Sequence, residues 1–179
     1  MPSRNKADEL DVSRLGLGQL AFFVGQCLNE RVLAELRERG HEKLRISHGY
    51  VIQHLVGADR TINELAERMG VSQQAASKAA AELSSLGYIA DAETDDARTR
   101  RVGLSPKGRA MLDETRRLRD ALERELVRGS TGRAVADARR VLAAMLEKLG
   151  GADAVRRRRV REPSHAATRV RGRKARVEG

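Results

Sequence analysis

The chain has 179 residues, a formal net charge of +10 and a single cysteine, Cys27, so it is long enough for one core with appendages and cannot form an internal disulfide. No run of 18 apolar residues occurs, and Met1-Pro2-Ser3-Arg4-Asn5-Lys6 leads into Asp8 and Glu9, so neither a membrane span nor a signal peptide is expected. The lone thiol fits a reduced, cytoplasmic setting.

After an N-terminal arm of residues 1–14, Leu15 to Arg39 reads as a long helix. Leu20, Phe23, Val24, Cys27, Leu28, Val32 and Leu36 recur at close to 3.6 residues, which places Cys27 as a packing thiol, and Gly40 supplies the stop. Ser47 is placed to cap a second helix reaching Val56, with Val51, Ile52, Leu55 and Val56 inward; Gly49 weakens it by about 1 kcal/mol relative to alanine. Thr61-Ile62-Asn63-Glu64 is a capping box that opens a helix ending at Gly70. Ser72 caps the next helix, whose inner stripe is Ala76, Ala79, Ala80, Leu83 and Leu86, and Gly87 stops it. Tyr88 to Glu93 and Arg101 to Ser105 read as short strands around a loop at 95–100. Ser105 and Pro106 start a helix to about Arg128 with Met111, Leu118 and Leu122 as its seam. Gly129 to Gly132 breaks it, and a last helix from about Arg133 to Leu149 carries Val135, Ala138, Val141, Leu142, Met145 and Leu146. From Ala152 onward ten Lys/Arg face three Asp/Glu, so this tail carries +7 and the rest of the chain only +3. With Arg156 to Arg159 in a row and little apolar content, the tail is expected to be disordered in isolation.

Two short helices joined at Met69-Gly70-Val71-Ser72 have helix-turn-helix spacing. The alanines let the second helix pack closely on its neighbours. Its outer face presents Ser72, Gln73, Gln74, Ser77 and Lys78, and the glutamines suit adenine N6/N7 or a phosphate. A plain solvated face is the competing reading of these residues. The loop Asp95-Asp96-Ala97-Arg98-Thr99-Arg100-Arg101 is too short and too charged to be core. Asp96, two residues before Arg98, is placed to restrain its guanidinium for insertion into a narrow minor groove, with Arg100 and Arg101 as a phosphate or structural pair. An ordinary charged turn is the alternative.

On these residues the chain resembles the MarR family of transcriptional regulators from about Leu15 to Leu149. The resemblance rests on Ile62-Asn63-Glu64-Leu65-Ala66-Glu67-Arg68-Met69-Gly70-Val71-Ser72, on Leu86-Gly87-Tyr88-Ile89, on the wing pattern D-x-R-x-x-R met by Asp96, Arg98 and Arg101, and on Val102-Gly103-Leu104-Ser105-Pro106-Lys107-Gly108. It implies a mainly α fold with a small β-hairpin wing: a winged helix-turn-helix domain at 46–105, a helical dimerisation region at 15–45 and 106–150, and a basic tail at 151–179. It further implies a homodimer that sets two recognition helices in successive major grooves of a pseudo-palindromic site on double-stranded DNA. Family members often respond to small amphipathic ligands, to cysteine oxidation or to zinc. The hydroperoxide-sensing branch places cysteine in a Gln-Leu-Cys-Phe context, where this chain has Gln19-Leu20-Ala21-Phe22. Zinc-sensing relatives use a His pair on the helix that here runs from Lys107 to Arg128 and contains no histidine. The expectation is therefore no metal and no cofactor, with a small-molecule effector pocket near Phe22, Phe23, Gln26, His48, Tyr50 and His54; that these residues simply complete the core and its rim is the competing reading. The expected function is a sequence-specific dimeric regulator, most simply a repressor relieved by a ligand. The alternative is an architectural protein that coats DNA through its basic tail. No phosphate loop, metal-spaced cluster or Ser/His/Asp arrangement suggests an enzyme.

Overall fold

A computed structural model describes residues 10–92 and 100–159. The chain folds as α1 (Leu17–Glu38), α2 (Ile46–Ile52), β1 (Arg60–Thr61), α3 (Ile62–Met69), α4 (Gln73–Ser85), β2 (Ile89–Ala92), β3 (Arg101–Leu104), α5 (Pro106–Leu126), α6 (Gly132–Lys148) and α7 (Ala152–Arg156), with single 3₁₀ turns at Val12–Arg14 and Gln53–Leu55. It is the mainly helical winged-helix architecture expected from the sequence, with a three-stranded antiparallel sheet ordered β1-β3-β2. No helix among the described residues is long and apolar enough to cross a membrane.

Local chemistry explains most boundaries. Gly40, at φ +94°, closes α1 and lets His41 N–H reach back to the Leu36 carbonyl at 3.0 Å. The Thr61 hydroxyl accepts from Glu64 N–H at 3.1 Å, and the Glu64 carboxylate accepts from Thr61 N–H at 2.8 Å, completing the capping box of α3. Ser72, Ser105 and Thr131 cap α4, α5 and α6 through their side-chain oxygens, each accepting from the backbone N–H three residues on. Thr131 lies inside the stretch read as a breaker, so the cap of the last helix is a residue the sequence reading passed over.

Three expectations are corrected. The second helix begins at Ile46 and not behind a Ser47 cap, because the His48 ring accepts from Arg45 N–H at 3.3 Å and does the capping; it ends at Ile52, with the 3₁₀ turn covering part of the remaining span. A third strand, β1, pairs Arg60 with Val102 and Thr61 with Arg101; two residues are too few to show an alternating pattern. The start of the tail, expected to lack order, is helical from Ala152 to Arg156, with Ala152 buried and the Arg157 carbonyl accepting from Arg68 Nη2 of α3 at 3.0 Å.

The core lies between α2, α3, α4 and the sheet. Leu55, Leu65 and Leu83 are fully buried at its centre, with Val51, Ile52, Ile89 and Val102 around them. Each such side chain removed from water contributes about 1.5–3 kcal/mol. Val32 and Leu36 of α1 and Met111 and Leu118 of α5 extend this core into the helical region. The remaining apolar stripes stay open: Phe22, Phe23 and Val24 on α1 are about half exposed, Cys27 is exposed, and α6 buries no residue. Cys27 is thus not a packing thiol within its own chain, because its side of α1 is left exposed.

Candidate nucleic-acid interface

The buried back of α4 fixes what its front presents. Ala76, Ala80 and Leu83 are buried against α3 and α2, a close approach that the two small alanines allow. By helical periodicity Gln73, Gln74, Ser77 and Lys78 must then face outward, and with Ala81 they line one shallow concavity on the surface. Ser72 sits at the start of this face, its hydroxyl occupied by Ala75 N–H at 3.2 Å. Five of the sequence-predicted contact residues therefore share one exposed helix face.

A cross-brace holds α4 to α2. Arg45 and Glu82 form an ion pair, and the buried His48 ring lies 3.3 Å from the same Glu82 oxygen. Burial is the main cause that pulls the His48 pKa below its ordinary value, and the Glu82 carboxylate opposes it. A second brace joins the end of α1 to the base of the hairpin: His41 Nδ1 is hydrogen-bonded to the Tyr88 hydroxyl at 2.8 Å, and its Nε2 lies 3.3 Å from Glu114 of α5. Burial raises the Tyr88 pKa.

The hairpin base is also fixed. Arg101, at the start of β3, donates through Nη2 to the Asp59 carbonyl at 3.1 Å and to the Glu64 carboxylate at 3.2 Å. The Thr61 N–H bond is the largest influence holding the Glu64 carboxyl below its usual range, with the Arg101 charge adding to it. Arg100 extends into solvent and pairs with Asp91 across the hairpin at 2.7 Å, both side chains well exposed. Arg101 is thus tied into the hairpin base, and Arg100 is held only by a solvated ion pair. Asp96 and Arg98, the restraint and the groove-inserting residue of the sequence reading, lie outside the described residues. Glu64, read from the sequence only as a capping-box residue, also anchors Arg101, a long-range role that the capping pattern does not show.

The expected effector residues do not converge. A cavity of about 320 Å³ lies among α1, α2 and α5, lined by Val32, Leu36, Tyr50 and Met111 with Arg119 and Arg158 among its polar members. Of the six residues expected there, Tyr50 alone lines it. Phe22, Phe23 and Gln26 are exposed on the outer half of α1. His48 turns toward α4, and His54 is buried within the 3₁₀ turn that follows α2. Helical rotation along α2 accounts for the split, since His48 and Tyr50 point to different sides.

Residues 44–101 match the sequence model of the MarR family. No protein of curated function matches the chain by sequence. Among solved structures, a MarR family protein from Bacillus stearothermophilus is 17% identical with a TM-score of 0.61, covering 75% of this chain and 93% of its own. MepR, a transcription regulator of the Staphylococcus aureus multidrug efflux pump MepA, is 17% identical with a TM-score of 0.60, covering 75% of this chain and 99% of its own. The reduced form of MarR from E. coli is 24% identical with a TM-score of 0.58, covering 78% of this chain and 99% of its own.

Proposed function

We propose that this chain, which carries the MarR-family segment at 44–101 on the winged-helix fold of MarR-family transcription regulators, is a homodimeric, sequence-specific DNA-binding regulator. The observation that carries the reading is the face of α4: Gln73, Gln74, Ser77 and Lys78 exposed together on a helix whose back is sealed by alanines, beside a hairpin base pinned by Arg101. In this reading α4 enters the major groove, where a glutamine amide pairs with adenine N6 and N7. The wing carries Arg98 toward the adjacent minor groove, Asp96 restrains it, and Arg100 takes a backbone phosphate. Such regulators are not enzymes and usually act as dimers. The open stripes of α1 and α6 support dimerisation here: Phe22, Phe23, Val141, Leu142 and Leu146 are exposed apolar side chains of the kind two copies would bury together.

The arrangement fits a repressor released by a small ligand, with the 320 Å³ cavity as its seat, since the cavity touches α2 and α5, the elements that join the DNA-reading head to the helical region. Selection from randomised duplexes tests the main claim. A pseudo-palindromic consensus is expected, and Gln73→Ala or Gln74→Ala should relax one position in each half-site. Arg98→Ala should cost about 1–3 kcal/mol of DNA affinity with the dimer intact. No enrichment over random sequence, with equal affinity for all fragments, would instead support the architectural reading in which the +7 tail does the binding.

A further inference from the structure

α7 is too short to stand alone. Its five residues, Ala152–Arg156, make little more than one turn, and an isolated helix of that length is not stable in water. Its order must come from what it touches. Gly150, at φ +72°, ends α6, and Gly151 N–H reaches back to the Leu146 carbonyl at 3.0 Å. The turn sits so close to its helix that a Cβ at Gly151 would stand 2.8 Å from Leu146 Cδ1. Ala152 is then buried, and Arg156 pairs with Glu147 of α6. Past α7 the chain leaves α6 and meets α3, where the Arg157 carbonyl accepts from Arg68 Nη2 at 3.0 Å.

The next residue, Arg158, lines the 320 Å³ cavity, and every other lining residue belongs to α1, α5 or the stretch 44–56. Arg158 is exposed while Val32 and Leu36 are buried, so Arg158 stands at the mouth and those two at the floor. Its backbone is at φ +52°, a left-handed conformation that a non-glycine residue keeps only where its surroundings hold it. That hold is light. The Arg156 and Arg157 ion pairs are solvated and add little, the latter lying within the segment itself. Val155 stays half exposed. One hydrogen bond to α3 and one buried alanine do most of the holding, and the Arg68 guanidinium that makes the bond keeps its Nε buried without a partner. A segment docked so shallowly opens while the rest of the fold stays closed.

We propose that residues 152–159 are a lid on this cavity, hinged at Gly150-Gly151 and latched to α3 through the Arg157 carbonyl. Docked, the lid sets Arg158 across the mouth. Lifted, it loses α7 and the left-handed turn together, and the cavity opens to solvent. The lid governs entry to the cavity assigned above as an effector seat and takes its purpose from that reading. Its test uses neither DNA nor an effector, so the two can fail separately.

The test is thiol labelling by N-ethylmaleimide in the full chain carrying Cys27→Ser, since Cys27 is the single cysteine and is exposed. Val32→Cys puts a thiol on the cavity wall, and Val51→Cys puts one in the core away from it; the two valines are 3% and 4% exposed. The second thiol reads opening of the whole fold. The ratio of the rate at 32 to the rate at 51 should rise about tenfold when Ala152→Asp forces a charge into the buried lid position, and as much when the chain is cut after Gly151. Any general loss of stability acts on both thiols and cancels in the ratio. A ratio unchanged in either variant overturns the proposal, and so does a Val32→Cys thiol that reacts in the uncut chain as fast as Cys27 does in the parent.

Discussion

Gly108→Ala should be among the most damaging single-methyl additions this chain can suffer. Gly108 is buried in the first turn of α5, where that helix lands on the start of β2. A Cβ built there stands 1.9 Å from the Tyr88 carbonyl oxygen and 3.0 Å from its carbon, both backbone atoms that no rotamer change can move. The two segments must part by more than an ångström. That separation breaks the bonds that seat α5: Ser105 N–H to the Tyr88 carbonyl at 3.0 Å and the Ser105 hydroxyl to the Gly87 carbonyl at 2.6 Å. Two lost hydrogen bonds at about 1 kcal/mol each and an overpacking strain of about 1–3 kcal/mol give a loss of roughly 3–5 kcal/mol. For a domain whose whole stability is about 5–15 kcal/mol, a melting point lower by about 10 °C follows. Gly49→Ala is the internal control. Gly49 lies in α2 with no atom within 4 Å of its Cβ position, so the same methyl should stabilise by about 0.5–1 kcal/mol. Urea unfolding at one fixed protein concentration reads both. A Gly108→Ala chain within about 0.5 kcal/mol of the parent, or a Gly49→Ala chain as damaged as Gly108→Ala, would refute the reasoning.

Arg101→Ala should lower stability by about 1 kcal/mol, since its ion pair is partly solvated, whereas Arg100→Ala should leave the melting curve in place and weaken DNA binding; equal melting losses would mean Arg101 anchors nothing. Acid should destabilise the fold early. His48 and His54 are both held below 6.5 in the folded chain, chiefly by burial. The unfolded chain therefore takes up protons first: stability is full above about pH 6.5 and falls by up to about 1.4 kcal/mol per pH unit for each histidine below it. A urea midpoint unchanged from pH 8 to pH 5 would contradict this. Truncation after Arg159 should flatten the dependence of DNA affinity on salt without altering the melting point. Truncation after Gly151 should flatten that dependence and also lower the melting point, because it removes buried Ala152 and the Arg157 carbonyl that accepts from Arg68.

The features legible in the sequence are those whose cause is local. Thr61 and Glu64, Ser72 and Ala75, Ser105 and Gly108 are three residues apart, so a capping rule reads them directly. The alanine stripe of α4 is equally local, and with it the outward face follows. What escaped the sequence spans the chain. β1 is a strand only because Thr61 lies opposite Arg101 and Arg60 opposite Val102, residues far along the chain in the hairpin. Arg68 meets Arg157 across 89 positions, a contact no period announces. His48 and His54 read as pocket residues because they share a helix with Tyr50, but the turn at Gln53–Leu55 and the helical rotation send the three side chains to different surroundings.

Glu64 joins the two kinds of information. Its place in the capping box was readable, and that place holds its carboxylate at the N-terminus of α3, accepting from Thr61 N–H. A carboxylate fixed there is already oriented when β3 pairs with β1 and brings Arg101 alongside, so the ion pair forms with little further loss of side-chain freedom. Because Thr61 belongs to both β1 and the cap of α3, the wing base and the helix that supports α4 are tied through one short segment. On the proposed function, α4 and the hairpin base should then shift together when α2 or α5 moves at the cavity. A ligand there would alter the spacing between two such heads in a dimer more readily than the geometry within one.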